Sequence, residues 1–192
     1  MRVQKGILKL KLSCTGISCH SGYPHLGKSA IDPLVDTLYE LRHSSWPRSE
    51  ELGETTLNIG LLKGGHAANA LASEAEAVLM FRVTCPPDEI LKQVQEKVGI
   101  HKVGVEVITA NSPVRLNTIH GYPTDVASFN TDIPYFQLEE GSTAFLIGPG
   151  SIHDAHSDHE MIKIEELRDA VNYYESICTR LLTTEGVAEK GK

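Results

Sequence analysis

Three features that would each assign a chain to a class of protein are scarce here. The four cysteines, Cys14, Cys19, Cys85 and Cys178, are scattered without a CxxC pair, so we expect free thiols rather than a disulfide framework or a zinc knuckle. No apolar run approaches the ~20 residues of a membrane span. The formal net charge is -7 and there is no long basic run, which argues against a nucleic-acid partner.

Size and composition indicate a folded chain. The 192 residues are enough for one large domain or two small ones, and a hydrophobic fraction of 41% supports a packed core. Residues 1–6 contain no signal-peptide apolar region and lead almost at once into a strand pattern, as at a domain boundary. We therefore expect a cytoplasmic protein, with a vacuolar location open for a longer form.

The first 112 residues predict one α+β domain. Apolar and polar residues alternate in four predicted strands, at 7–13, 55–62, 74–84 and 103–108. Two helices are predicted between them, one at 29–43 that begins at Ser29 and one at about 88–98. Two helices over one face of a four-stranded antiparallel sheet, in the order βαββαβ, form the ferredoxin-like arrangement.

Residues 113–192 predict only part of a second domain. A turn-rich stretch is followed by a short apolar strand at 143–147 and an amphipathic helix at 164–182, and the tail after it is polar. One strand and one helix cannot bury a core of their own. We therefore expect this segment to be the closing portion of a larger α/β sheet.

The loop at 148–160 carries the densest chemistry. After Gly148-Pro149-Gly150, three histidines and three acids fall within eight residues. A loop at the end of a strand can deliver an imidazole to a metal, and His156 is the candidate ligand. His153 and His159 are interpreted as surface residues or as residues that support a metal ligand without contacting the metal. One imidazole alone does not hold zinc tightly.

Four blocks of motifs follow one another along the chain. They are Gly16 to Ala30 around His20, Gly64 to Asn69 followed by Glu74 to Ala77 and Phe81-Arg82, then Thr131-Asp132, and last Gly148 to Gly150 with Ala155-His156 and Glu160. In this order the blocks resemble the M20-type zinc metallopeptidases and deacylases. The branch most similar is that of acetylornithine deacetylase and the vacuolar carboxypeptidases. Two positions differ from the pattern: Asn130 replaces a glycine and Ala72 replaces a proline.

The resemblance implies a fold and an activity. In that family a dimer-forming lid domain is inserted into a catalytic α/β domain, and two zinc ions activate water to cleave the amide bond of N-acyl amino acids, such as acetylornithine, or of small peptides. This chain would supply the lid, residues 1–112, and the C-terminal segment of the catalytic domain, residues 113–192. The family's early metal motifs are missing, so we expect a fragment that is inactive alone and retains zinc weakly.

The resemblance also implies roles for single residues. His20 would stabilise the oxyanion in the site of a partner subunit, and His156 would be a metal ligand. Substrate binding would fall to five residues: Asn69, Arg82, Thr131, Asp132 and Gly148. Four of these residues have an alternative interpretation. His20 would be a histidine packed in its turn, and His156 a histidine that hydrogen-bonds within its loop. Asn69 would be a left-handed turn residue and Arg82 a solvated strand position.

Two patterns imitate metal motifs, and two other functions stay open. His156-Ser157-Asp158 has HxD spacing and Glu139-Glu140 imitates a Glu-Glu pair, but both follow the lid, whereas the family places these motifs before it. Asp158 is interpreted as a surface acid or one that supports a metal ligand, and Glu139-Glu140 as a solvated turn. One alternative function is a non-catalytic dimerisation module, and another is a free-standing domain that binds a small ligand.

Overall fold

The computed structural model describes residues 1–137, 139, 141–183 and 187–188. The chain divides into two compact units. The sheet unit consists of Gln4–Val114 and Ala127–Pro134, and the helix unit consists of Met1–Val3, Arg115–Val126 and Tyr135–Lys192. Together they contain helices and small sheets, which confirms the α+β class.

The sheet unit contains one four-stranded antiparallel sheet. Its strands are β1 (Gly6–Thr15), β2 (Thr56–Gly64), β3 (Glu74–Val83) and β4 (Gly104–Asn111). Their order across the sheet is β2-β3-β1-β4. The two strands joined by a hairpin are neighbours, and β1 lies between β3 and β4, so the predicted ferredoxin-like topology is confirmed.

Two helices, α1 (Ile31–Arg42) and α2 (Pro87–His101), cover one face of this sheet. Alternation in the strands directs every second residue toward them. Leu8 lies opposite Phe81 and Leu10 opposite Leu79, and all four are fully buried. The helices contribute their own apolar stripes to the same core: Leu34, Leu38, Leu41, Ile90, Val94 and Val98.

One side of the sheet unit exposes a patch of large apolar residues. Helix α1 lies above β3 and reaches the edge strand β2, because a Cβ on Gly64 would lie 3.0 Å from Ile31. Four residues here form what we call the α1–β2 face: Ile31, Val35, Tyr39 and Leu62, with 36%, 47%, 66% and 58% exposure. The opposite edge strand, β4, exposes Val107 at 44%.

The helix unit is built around α3 (Ile164–Leu182), which has the predicted bounds. Ile177 is its one buried residue, whereas Ile164, Leu167, Val171 and Tyr174 form an exposed stripe. The predicted strand at 143–147 is wrong. No strand pairs with this segment in the described chain, and it bonds instead to Asn117, whose N–H and side-chain oxygen both contact Ala144.

The remaining regular elements are short. Arg48–Ser49 pairs with Gly53–Glu54, and Thr118–Ile119 pairs with Val187–Ala188. Three further two-residue strands and two turns of 3-10 helix complete the described elements: Val3–Gln4, Val114–Arg115, Val126–Ala127, Pro24–Leu26 and Ile133–Tyr135. Among the described helices, none combines the length and the apolar character that crossing a bilayer requires.

Candidate functional site

His20 and Asn69 lie side by side at one end of the sheet. The loop that follows β1 carries His20, and the hairpin between β2 and β3 carries Asn69. Ser21 N–H donates to Asn69 C=O at 2.9 Å, and Leu71 N–H donates to Cys19 C=O at 3.0 Å. Both side chains are exposed, so an imidazole and an amide are presented together at what we call the tip of the sheet unit.

A glycine explains how these two loops come so close. A Cβ on Gly16 would lie 2.2 Å from the carbonyl oxygen of Lys28 and 2.7 Å from that of Ala72. No other residue fits between these backbones. Ala72 itself is buried, and its carbonyl accepts the N–H of Ala30, which fixes the start of α1 against the hairpin. The glycine of the first sequence block therefore has a structural role.

The tip side chains are available to a ligand. The Nδ1 atom of His20 accepts the N–H of Gly22 at 3.0 Å, which leaves Nε2 facing outward. The ring centroid of Tyr23 lies 5.9 Å from that of His20. Within the described residues the side-chain amide of Asn69 makes no hydrogen bond. A donor on His20 and a donor–acceptor amide on Asn69 can together hold a carbonyl group or an oxyanion.

Arg82 lies at the opposite end of β3, which we call the base of the sheet unit. From Glu74 to Arg82 the strand extends roughly 26 Å, so one copy cannot bring Arg82 and Asn69 to one small ligand. Arg82 faces away from the helices and lies between Ile7 and Thr56. Burial lowers the pKa of Arg82, and no acid pairs with it in the part of the chain described. A half-buried, unpaired guanidinium is suited to a carboxylate.

Thr131 lies at the same base and holds the chain in place. Its Oγ1 donates to Oε1 of Gln4 at 2.7 Å, and Gln4 is fully buried just before β1. The neighbouring Asn130 donates from Nδ2 to the Lys5 carbonyl at 3.3 Å. The Thr131 hydroxyl is thus engaged within the protein, whereas the Asp132 side chain is exposed and open to a ligand.

In the helix unit, His156 occupies an unusual backbone position. Its φ of 63° lies in the left-handed region, which few residues other than glycine adopt, although histidine is among the enriched ones. Its N–H donates to Oε2 of Glu160 at 2.9 Å. Glu160 therefore closes the loop, and the imidazole of His156 is exposed. This hydrogen bond is a physical reason for a glutamate four residues after His156. Gly148 and Asp158 are also exposed.

The described residues do not form a metal site by themselves. No group of three or more histidine, cysteine, aspartate or glutamate side chains there is arranged to hold an ion, whereas zinc needs three or four protein ligands. Glu139 is exposed, and Glu140 lies outside the described residues. The exposed imidazole of His156, the ligand predicted from the sequence, is therefore not part of a complete metal site within the described residues.

Two contributors had no recognisable signal in the sequence. Gly22 lies in the His20 loop but gives no pattern that marks it as a hydrogen-bond donor to the imidazole. Gln4 precedes the first strand, and its partner Thr131 is 127 residues away in the chain. The Gln4–Thr131 contact depends on which distant segments the fold brings together, whereas the Gly22–His20 contact depends on the local conformation of the loop. Glu160 was part of a recognised block, but its bond to the His156 backbone appears only in three dimensions.

Comparison with known proteins agrees with this architecture. The family model of the peptidase dimerisation domain, an M20 model, matches residues 2–105. A probable carboxypeptidase of Aspergillus niger is 35% identical over 191 residues, covering 90% of this chain and 46% of the relative. A peptidase M20 domain-containing protein of Schizosaccharomyces pombe is 36% identical over 171 residues, covering 88% of this chain and 42% of the relative. The chain therefore spans less than half the length of these relatives.

Among solved structures, an aminobenzoyl-glutamate utilization protein from Klebsiella pneumoniae aligns with a TM-score of 0.51 at 16% identity. The alignment covers 59% of this chain and 31% of that one. At this identity the match supports the fold alone. The family match covers more than half of the chain and coincides with the ferredoxin-like sheet and its helices. The chain belongs to the M20 peptidase family, of which it carries the dimerisation domain.

Proposed function

We propose that this chain forms the dimerisation domain and the C-terminal segment, residues 113–192, of a zinc-dependent amidohydrolase. Its substrate would be an N-acyl amino acid of the acetylornithine type or a small peptide. The family and the names of the relatives support hydrolysis of an amide bond next to a free carboxylate. Cleavage itself would require metal ligands that the described residues do not include, so this chain alone should be inactive.

The observation that carries the proposal is the pairing of His20 with Asn69 at the tip. Both side chains are exposed, and backbone hydrogen bonds between their loops fix their spacing. Preorganised donors stabilise the charge that develops on a carbonyl oxygen during acyl transfer. We assign oxyanion stabilisation to His20 and substrate binding to Asn69.

The base residues would recognise the other end of the substrate. Arg82 is half-buried and has no acidic partner among the described residues. Its planar guanidinium can bind a carboxylate with two parallel hydrogen bonds. Asp132 is exposed and would contact the substrate as well, whereas Thr131 would contribute by holding its loop against Gln4.

Tip and base lie too far apart to serve one site within one copy, which favours a two-fold dimer. In such a dimer the tip of each copy can reach the site that contains the base of the other. The α1–β2 face is the interface we propose, because its apolar side chains lie beside a strand edge that has no pairing partner in the described chain.

Trans donation can be tested with hybrid chains that join this sequence to the unmatched segment of the Aspergillus niger relative. One hybrid carries His20→Ala and the other carries His156→Ala, and each alone should be inactive. After random subunit exchange about half of the dimers are mixed, and each mixed dimer has one intact site of two. Hydrolysis of acetylornithine or a dipeptide should therefore recover to about a quarter of the activity of the unmutated hybrid.

The controls separate the possible failures. If His20 acts within its own subunit, no mixed dimer contains an intact site and activity stays at zero. If the His20→Ala hybrid is already active, the catalytic role of His20 is wrong. An unmutated hybrid must be dimeric and active before either result is read.

A non-catalytic dimerisation module is the second candidate. The observation in its favour is that the described residues contain no metal-binding group of three, while the α1–β2 face is present. This candidate predicts that the 192-residue chain forms a stable dimer, and that hybrids carrying an intact metal segment show no hydrolysis.

A further inference from the structure

The ring of His20 is held by a residue to which no role has been assigned. The backbone N–H of Gly22 points at Nδ1 of His20, with an N–N distance of 3.0 Å. A nitrogen that accepts a hydrogen bond cannot carry the ring proton of a neutral imidazole. In the neutral ring the proton is therefore on Nε2, the atom that faces away from the loop.

Gly22 also shapes the place where the ring lies. A Cβ on residue 22 would come within 3.2 Å of Nδ1 and 3.4 Å of Cε1 of His20. The ring thus rests directly over the glycine, at a spacing that a larger residue would disturb. The backbone on either side is fixed, because Tyr23 N–H donates to His20 C=O at 2.9 Å and Ser21 N–H donates to Asn69 C=O at 2.9 Å.

We propose that Gly22 is a positioning residue that selects the Nε2–H tautomer of His20 and directs this N–H outward as a hydrogen-bond donor to a ligand oxygen. The proposal rests on the proposed function in one respect, that the oxygen belongs to the scissile amide. With the proton on Nδ1, the ring would turn a lone pair toward that oxygen and repel it. A donor oriented before the ligand arrives requires no reorganisation during the reaction.

The tautomer can be measured directly in the 192-residue chain. Long-range ¹H–¹⁵N correlation spectra of histidine-labelled protein, in alkaline buffer, distinguish a protonated ring nitrogen from one with a lone pair. A His20→Gln variant assigns the signal. His25, on the same loop and without a hydrogen bond to its ring nitrogens in the described chain, is the internal reference. We expect His20 to be almost purely Nε2–H, and His25 to show the mixture of a free imidazole.

Two variants test the role of Gly22. Gly22→Pro removes the N–H, and the tautomer ratio of His20 should shift roughly fivefold toward that of His25, as the loss of a net hydrogen bond of about 1 kcal/mol predicts. Gly22→Ala keeps the N–H but adds a Cβ, so the ring should move and the ratio should shift in the same direction by less. If Gly22→Pro does not fold, the alanine variant alone decides.

The proposal is overturned if His20 in the unmutated chain has the ratio of His25, or if both Gly22 variants leave its ratio unchanged. This readout does not depend on activity. A pure Nε2–H tautomer combined with an active His20→Ala hybrid would leave the positioning intact and reject the catalytic role. A mixed tautomer combined with an inactive His20→Ala hybrid would do the reverse.

Discussion

The dimer interface can be tested with a pair of closely matched valines. Val35 lies on the α1–β2 face and is 47% exposed, whereas Val107 lies on the opposite edge strand β4 and is 44% exposed. Replacing each by aspartate makes the same chemical change at the two edges of one sheet unit. We expect Val35→Asp to abolish dimerisation and Val107→Asp to leave it unchanged.

The size of the effect follows from burial at a two-fold interface. Complete burial of a valine is worth about 1.5 kcal/mol, so covering the 47% that is exposed in Val35 contributes about 0.7 kcal/mol. Burying an unpaired carboxylate at that position costs a further ~2 kcal/mol or more. Because the axis brings both copies into the interface, the loss is about 5.4 kcal/mol per dimer, and the dissociation constant should rise roughly ten-thousandfold.

Sedimentation equilibrium over a wide range of concentration measures this change. Valine and aspartate have similar helix propensities, so circular dichroism should show that α1 remains folded in the variant. If Val107→Asp dissociates the dimer and Val35→Asp does not, the interface is on the β4 edge. If the unmutated chain is monomeric at every concentration, or if both variants remain dimeric, the reasoning from exposed apolar residues is refuted.

Further predictions concern zinc retention, hydrogen exchange and the reactivity of a half-buried thiol. After dialysis against a chelator and addition of zinc, the chain should retain less than one equivalent, because His156 is its only proposed ligand; stoichiometric zinc in atomic absorption would contradict this. Hydrogen exchange should be faster in α3 than in β1 and β3, since most apolar residues of α3 are exposed; equal protection would be the contrary result. Burial, and then the Glu89 carboxylate, raises the pKa of Cys85 to about 11. Near pH ~8 this thiol should therefore contain about a hundredfold less thiolate than an ordinary thiol. Mass spectrometry should find Cys85 alkylated far more slowly than the exposed Cys178.

Local patterns predicted most of the regular structure. The alternation of apolar residues in Ile7 to Ser13 and in Glu74 to Thr84 requires that one face of the sheet be buried. Two helices cover that face with apolar residues at helical spacing. The helix at 164–182 was predicted to its ends because its stripe is long and uninterrupted. The strand at 143–147 failed because a strand depends on a neighbour to pair with, which a run of apolar residues does not reveal.

Sequence alone determined the family, the ferredoxin-like sheet and the identity of the candidate residues, because spacing and residue type are local properties of the chain. Tertiary structure decided how those residues are grouped. It places His20 with Asn69 at the tip and Arg82 with Thr131 at the base, since β3 is extended and separates its two ends. It also assigns Gly22 to the His20 ring and Glu160 to the His156 backbone, because hydrogen bonds form between atoms that folding brings within reach.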